Sequence, residues 1–90
     1  MIAERSRVIL FEDAAWEDYL WWQVEDRQIL KRINALIRDI QRDPFNGIGK
    51  PEGLRGDLSG FWSRRVTGEH RLVYKMDAGD LILVQLRGHY

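Results

Sequence analysis

The sequence predicts an α+β fold with an N-terminal strand, a two-helix hairpin, and a three-stranded antiparallel meander forming a twisted sheet packed on the helices. Three observations predict it. Residues 27–42 place Ile29, Leu30, Ile33, Leu36, Ile37 and Ile40 on one side with helical period. Residues 61–74 alternate along two arms about Gly68, the pattern of an antiparallel hairpin, and residues 81–86 supply a further apolar strand. Before the long helix stands the run Val8-Ile9-Leu10-Phe11, short and apolar like a buried strand. Ninety residues suit one domain with one modest core, taken as residues 1–90 with 1–6 a frayed leader.

In chain order, the first strand spans 6–11, with its apolar run read as buried on both faces. Glu12 and Asp13 then put negative charge at the positive end of a helix dipole, and a helix follows to about Val24. Trp16, Tyr19, Leu20 and Gln23 line one side of it. Trp21 and Trp22 widen the aromatic surface, which suits either a partner surface or a crowded small core. Asp26 caps the second helix, 27–42, whose opposite face carries Arg27, Lys31, Arg38 and Arg42 as a solvated surface. Asp43-Pro44 ends it, because the residue before a proline is pushed out of the helical region.

Residues 45–60 hold five of the eight glycines and read as a loop of functional length. In the hairpin that follows, loop parity decides which side chains share a face. A three-residue loop of Gly68, Glu69 and His70 pairs Val66 with Leu72 and Arg65 with Val73. It gathers Trp62, Val66, Leu72 and Tyr74 on one face and Ser63, Arg65, Thr67, Arg71 and Lys75 on the other, with Arg64 out of place on the apolar side. Arg65 and Arg71 are then diagonal neighbours. An odd turn at 77–80 would pair Tyr74 with Val84 and Leu72 with Leu86, and set Arg87 beside Arg71 and His89 on the arginine face. It would also leave Leu81 and Leu83 on that polar face.

Composition narrows the chemistry. Without cysteine there is no disulfide or thiolate site, and the two histidines, His70 and His89, lack ligand spacing with another donor, so neither a metal nor another cofactor is expected. No apolar run approaches a membrane span or a secretory signal, which points to the cytoplasm and to no membrane partner. The formal charge is zero, but residues 1–44 carry nine acidic against seven basic side chains, and residues 45–90 five against seven. The basic excess lies in the half with the hairpin and favours a local anion site over a globally basic surface.

Glu52 on the glycine-rich loop, Arg65, Arg71 and Arg87 near the sheet, and His89 at the end suit phosphodiester cleavage by an RNA 2′-hydroxyl. That reaction needs a base, an acid and cations around the phosphorane-like transition state. Glu52 would be the base, His89 the acid, and Arg65 with Arg71 the clamp; Lys50 and Arg55 would meet phosphate from the loop. Plainer alternatives stand beside these. A loop glutamate is most often solvated or ion-paired, and a histidine next to the end can be a tail residue. Arg64 reads as structural, packing its stem or bridging to a helix carboxylate, and His70 as a turn hydrogen-bonder.

The segments 43–54 (Asp-Pro-Phe-Asn-Gly-Ile-Gly-Lys-Pro-Glu-Gly-Leu), 58–66 (Leu-Ser-Gly-Phe-Trp-Ser-Arg-Arg-Val) and 69–74 (Glu-His-Arg-Leu-Val-Tyr), with the terminal His89-Tyr90, resemble the YoeB (Txe) toxins of the RelE superfamily. Trp16, Asp18, Tyr19 and the Lys31-Arg32-Ile33-Asn34 run extend the likeness to about residue 7. The resemblance implies a RelE-like fold akin to microbial ribonucleases and the toxin of a type II toxin–antitoxin system. It also implies a ribosome-dependent mRNA endoribonuclease, acting at the decoding site of the small subunit and inhibiting translation, with a YefM-like antitoxin as partner and room for a homodimer. The family's catalytic glutamate matches Glu52, its arginines Arg65 and Arg71, and its terminal pair His89 and Tyr90. Arg55 stands where lysine is usual and Gly56 where relatives carry histidine. The superfamily also holds toxins that act by binding a target without cutting, which is the competing reading.

Overall fold

A computed structural model describes residues 7–89, so residues 1–6, for which the sequence suggests a frayed leader, and Tyr90 lie outside the described residues. Strand β1 (Ile9–Phe11) leads into helices α1 (Asp13–Glu25) and α2 (Arg27–Arg42). Then come β2 (Glu52–Gly53), a short 3-10 turn (Gly56–Leu58), β3 (Trp62–Arg65), β4 (Arg71–Asp77) and β5 (Asp80–Gln85). The strands form one sheet in the order β1-β5-β4-β3-β2, with β1 parallel to β5 and every other pair antiparallel. Both helices pack on one face; the other is open.

Helix α2 matches its expected limits because its ends are chemically marked. The Asp26 carboxylate accepts from the N–H groups of Gln28 and Ile29, and Ile33, Leu36, Ile37 and Ile40 are buried. The inward face of α1 differs from the apolar side read from the sequence. Ala15 and Trp22 are buried, with Tyr19 between them, whereas Trp16 (45%), Leu20 (39%) and Trp21 (41%) stay exposed. Polar anchoring chooses this face: the Trp22 Nε1–H donates to Leu86 O at 2.9 Å, and the Asp18 carboxylate accepts the Leu86 N–H at 3.0 Å. Trp22 is therefore a core residue, while Trp16 stacks outside on Tyr19. Strand β1 is likewise not buried on both faces. It is a sheet edge, with Val8 and Leu10 about half exposed.

The β3–β4 register keeps the expected parity and shifts by one pair. Arg65 stands opposite Arg71, Arg64 opposite Leu72 and Ser63 opposite Val73, so the loop is five residues long rather than three. Thr67 Oγ1 accepts from the N–H groups of Glu69 and His70, and the Val66 N–H reaches His70 O. This hydrogen-bonded cap holds the longer loop. The arginines are thus a direct cross-strand pair, not diagonal neighbours.

The β4–β5 turn contradicts the expected odd loop. Asp77 pairs with Asp80 across two residues, Ala78 and Gly79, both at positive φ (51° and 85°), as in the tight hairpin turn that follows strand twist. Tyr74 consequently pairs with Leu83, not Val84. One pair farther on, Val73 faces Gln85, leaving Val84 as the extra residue of a β-bulge. The bulge lets Leu81, Leu83 and Leu86 all enter the core, each fully buried, although unbroken alternation would turn Leu86 away from Leu83. Neither Leu81 nor Leu83 is left on the polar face.

Those leucines, with Leu72, Tyr74 and Val66 from the hairpin and Ala15, Trp22, Ile33, Leu36, Ile37 and Ile40 from the helices, form the buried cluster. Among the described residues, no helix is long and apolar enough to cross a membrane.

Candidate active site

The site is prepared by Arg64, the hairpin arginine on the wrong side. It lies on the helix-facing side of β3 and is fully buried. Its Nη1 donates to Asp39 Oδ2 of α2 at 2.6 Å and to Ile48 O at 2.9 Å. Its Nη2 donates to Asp43 O at 2.8 Å and to Asn46 O at 3.4 Å, and its Nε to the Tyr74 hydroxyl, which in turn donates to Pro44 O. One side chain thereby ties α2, the first half of the glycine-rich segment and the sheet together. A buried guanidinium persists only when its charge and donors are met, as here. Hydrogen bonds from Arg42 and then Arg64 hold the Asp39 carboxyl down at about 2, against the smaller upward push of burial. The structural reading of Arg64, bridging to a helix carboxylate, describes what it does.

Gly49 brings the second half of this segment onto the sheet. At φ +79°, a Cβ there would lie 2.8 Å from Leu36 Cδ2 and 3.2 Å from Arg65 O. The same close approach lets the Arg65 N–H donate to Gly49 O at 2.7 Å. The chain then enters β2, where Glu52 pairs with Ser63 of β3. The segment read as a plain loop therefore contributes a fifth strand, and Glu52 sits on it.

Because paired residues share a face and alternate residues return to it, Glu52, Ser63, Arg65, Arg71 and Val73 all lie on the open side of the sheet. Ser63 and Val73 are buried beneath, while Glu52 and Arg65 are exposed. A cavity of about 300 Å³ opens there, lined by Lys50, Pro51, Glu52, Ser63, Arg65 and Arg71. The Arg71 Nη1 donates to Thr67 O at 2.9 Å and to His70 O at 3.2 Å, so the β3–β4 loop orients its guanidinium. Two guanidinium groups on a directly opposed pair repel, and a doubly coordinated anion between them relieves that repulsion. Ser63 belongs to this cleft although no chemistry singles it out in the sequence; its alternation with Arg65 is the available signal.

Four of the expected site residues, Lys50, Glu52, Arg65 and Arg71, are brought together, while Arg55, Arg87 and His89 do not line the cavity. Arg55 precedes the 3-10 turn and does not line the cavity. The Arg87 side chain does not join the arginine pair: its guanidinium lies 4.1 Å above the Trp21 ring of α1, with Nε 3.8 Å from Asp18 Oδ1. It is turned onto the exposed surface of the helix. His89 is exposed, at the end of a tail whose Gly88 O accepts the Arg71 N–H at 3.0 Å, and it does not line the cavity. Tyr90 lies outside the described residues. Among the described residues, no group of three or more histidine and carboxylate side chains is placed to hold a metal.

A two-helix layer on a five-stranded sheet, with a carboxylate and three cations around a cleft on the open face, defines a small α+β protein of the RelE-like kind. The profile of the family described as YoeB-like toxin of bacterial type II toxin-antitoxin system matches residues 11–90. Toxin YoeB of Streptomyces coelicolor is 58% identical over 82 residues, covering 91% of this chain and 98% of that protein. Among solved structures, a YoeB/ParE toxin from Agrobacterium tumefaciens superposes with a TM-score of 0.89 at 46% identity, covering 92% of this chain and 99% of that one. YoeB of Staphylococcus aureus in its YoeB-YefM complex superposes with a TM-score of 0.87 at 39% identity, covering 96% and 100%. The chain belongs to the YoeB-like toxin family of bacterial type II toxin–antitoxin systems.

Proposed function

We propose that this toxin is an endoribonuclease that cuts mRNA on the ribosome, at the decoding site of the small subunit, and so inhibits translation. The observation that carries the reading is the meeting of Glu52 with Arg65 and Arg71 on adjacent strands around one cleft. In the reaction, the Glu52 carboxylate takes the proton of the RNA 2′-hydroxyl and the 2′-oxygen attacks phosphorus. The bond to the 5′-oxygen breaks and that oxygen is protonated, leaving a 2′,3′-cyclic phosphate and a 5′-hydroxyl. Arg65 and Arg71 hold the phosphorane-like charge, for which the planar guanidinium fork is suited. Lys50 adds positive charge on the β2 side, His89 is the proton donor for the leaving oxygen, and Tyr90 belongs to the same catalytic set. Arg55 and Arg87 are assigned to RNA flanking the cut.

The reading extends to partners. An antitoxin of the YefM kind would neutralise the toxin, as the complex of the S. aureus relative suggests. Residues 1–90 would act as one toxin domain in the cytoplasm, on translating ribosomes, as monomer or homodimer.

The deciding experiment maps cut sites on an mRNA translated in a reconstituted system. Wild-type protein is expected to cut and Glu52→Gln to cut about 10²- to 10⁴-fold more slowly. Growth arrest with intact mRNA, or full cutting by Glu52→Gln, would overturn the proposal; the first outcome selects a toxin that acts by binding its target.

A further inference from the structure

We propose that His70 is a positioning residue that fixes the C-terminal segment carrying His89 relative to Arg71, an inference that rests on the proposed nuclease reading. His70 has no place in the acid–base scheme and does not line the cavity, yet it is half-buried and hydrogen-bonded through its ring. Its Nδ1 accepts the Gly88 N–H at 2.9 Å, which assigns the ring proton to Nε2. The next residue, Arg71, donates its N–H to Gly88 O at 3.0 Å. Two consecutive residues therefore grip both polar groups of one peptide position, one by side chain and one by backbone.

Gly88 is at φ +82°, a conformation that turns the tail sharply and favours glycine. Gln85 Nε2 braces the turn from inside by donating to Arg87 O at 3.0 Å and to His89 O at 3.2 Å. The His70 ring is itself held, edge to face with Trp22 at 4.9 Å between centroids. Trp22 in turn fixes Leu86 O. With Leu86 and Gly88 both tied down, the placement of His89 is narrowed to its own backbone and side-chain torsions. A pre-set proton donor needs this, because a displacement of about 1 Å at a reacting group costs on the order of 10²-fold in rate.

The test compares His70→Leu, which removes the acceptor, with His70→Asn, whose Oδ1 can take the place of Nδ1. Single-turnover cleavage of ribosome-bound mRNA and affinity for the programmed ribosome are measured separately, below the melting temperature of each variant. The expected result is a cleavage rate about 10- to 100-fold lower for His70→Leu, with affinity unchanged within about twofold, and recovery to within about threefold of wild type in His70→Asn. If His70→Leu does not fold, His70→Gln, whose acceptor sits one bond farther out, takes its place. Wild-type cleavage by the leucine variant, an equal loss in both variants, or a loss of affinity alone would overturn the inference. Failure of the nuclease reading is recognised separately, since Glu52→Gln would then cut as wild type does whatever His70 variants do.

Discussion

Asp39 shows how a single residue away from the chemistry sets the site. Its carboxylate is the counter-charge for the fully buried Arg64 and also accepts the Ile48 N–H of the glycine-rich segment. Replacing it by asparagine leaves a buried guanidinium without an opposite charge, and the expected loss at neutral pH is about 3 kcal/mol by chemical denaturation. The pH dependence has a definite sign. Since the folded carboxyl is depressed from 3.8 to about 2, its contribution is fully present above the unfolded value and is lost as pH falls through about 2. Wild type should therefore lose about 2 kcal/mol of its advantage over Asp39→Asn between about pH 6 and about pH 2. A constant difference across that range would refute the assignment. Arg64 itself was visible in the sequence as an arginine on the apolar side of its hairpin, able to bridge to a helix carboxylate, but its carbonyl acceptors at Asp43, Asn46 and Ile48 were not, because they come from a segment that only the fold brings to β3.

At the scale of elements, the hairpin, α2 and the first helix were legible, and the errors share one cause. Period and capping are local properties, so the limits of α2 follow from Asp26 and Asp43-Pro44. Register is not local. The five-residue β3–β4 loop depends on Thr67 Oγ1 bonding within the loop, and the odd turn expected at 77–80 is replaced by a two-residue turn plus the bulge at Val84. The inward face of α1 was misjudged because polar bonds to Leu86, not apolar side chains alone, decide it. Strand β2 escaped notice because two residues carry no periodicity; close backbone approach at Gly49 is what creates it. Gly49→Ala should consequently cost about 2 kcal/mol through forced positive φ and contact with Leu36. It should also slow mRNA cleavage at temperatures where the variant remains folded, because β2 carries Glu52. Thermal melts and cleavage rates measured on the same samples would check both, and unchanged stability would count against the close-approach account.

At the scale of the molecule, the helices and the cleft occupy opposite faces of one sheet, so stability and chemistry are largely assigned to different sides. The exceptions are the places where the chain crosses between them: the Arg64 network at the β2 edge and the tail beyond β5. Residues legible as chemistry, Glu52, Arg65 and Arg71, meet on the open face because β-alternation preserved their parity even though the pairing moved by one position. Arg87 was legible as charge but not by destination, since the bend after Gln85 directs it to Trp21 and Asp18. The paired irregularities of β4 and β5 have a practical corollary. The Ala78–Gly79 tip and the Val84 bulge cancel in phase, which insulates the cleft end of the ribbon from its distal end. Two or three small residues inserted between Ala78 and Gly79 should leave cleavage within about twofold of wild type and lower stability by only about 1 kcal/mol. A loss of cleavage in a folded insertion variant would show that the two ends are coupled. The distal tip is accordingly the natural attachment point for a fluorophore that reports on the toxin while leaving its working end untouched.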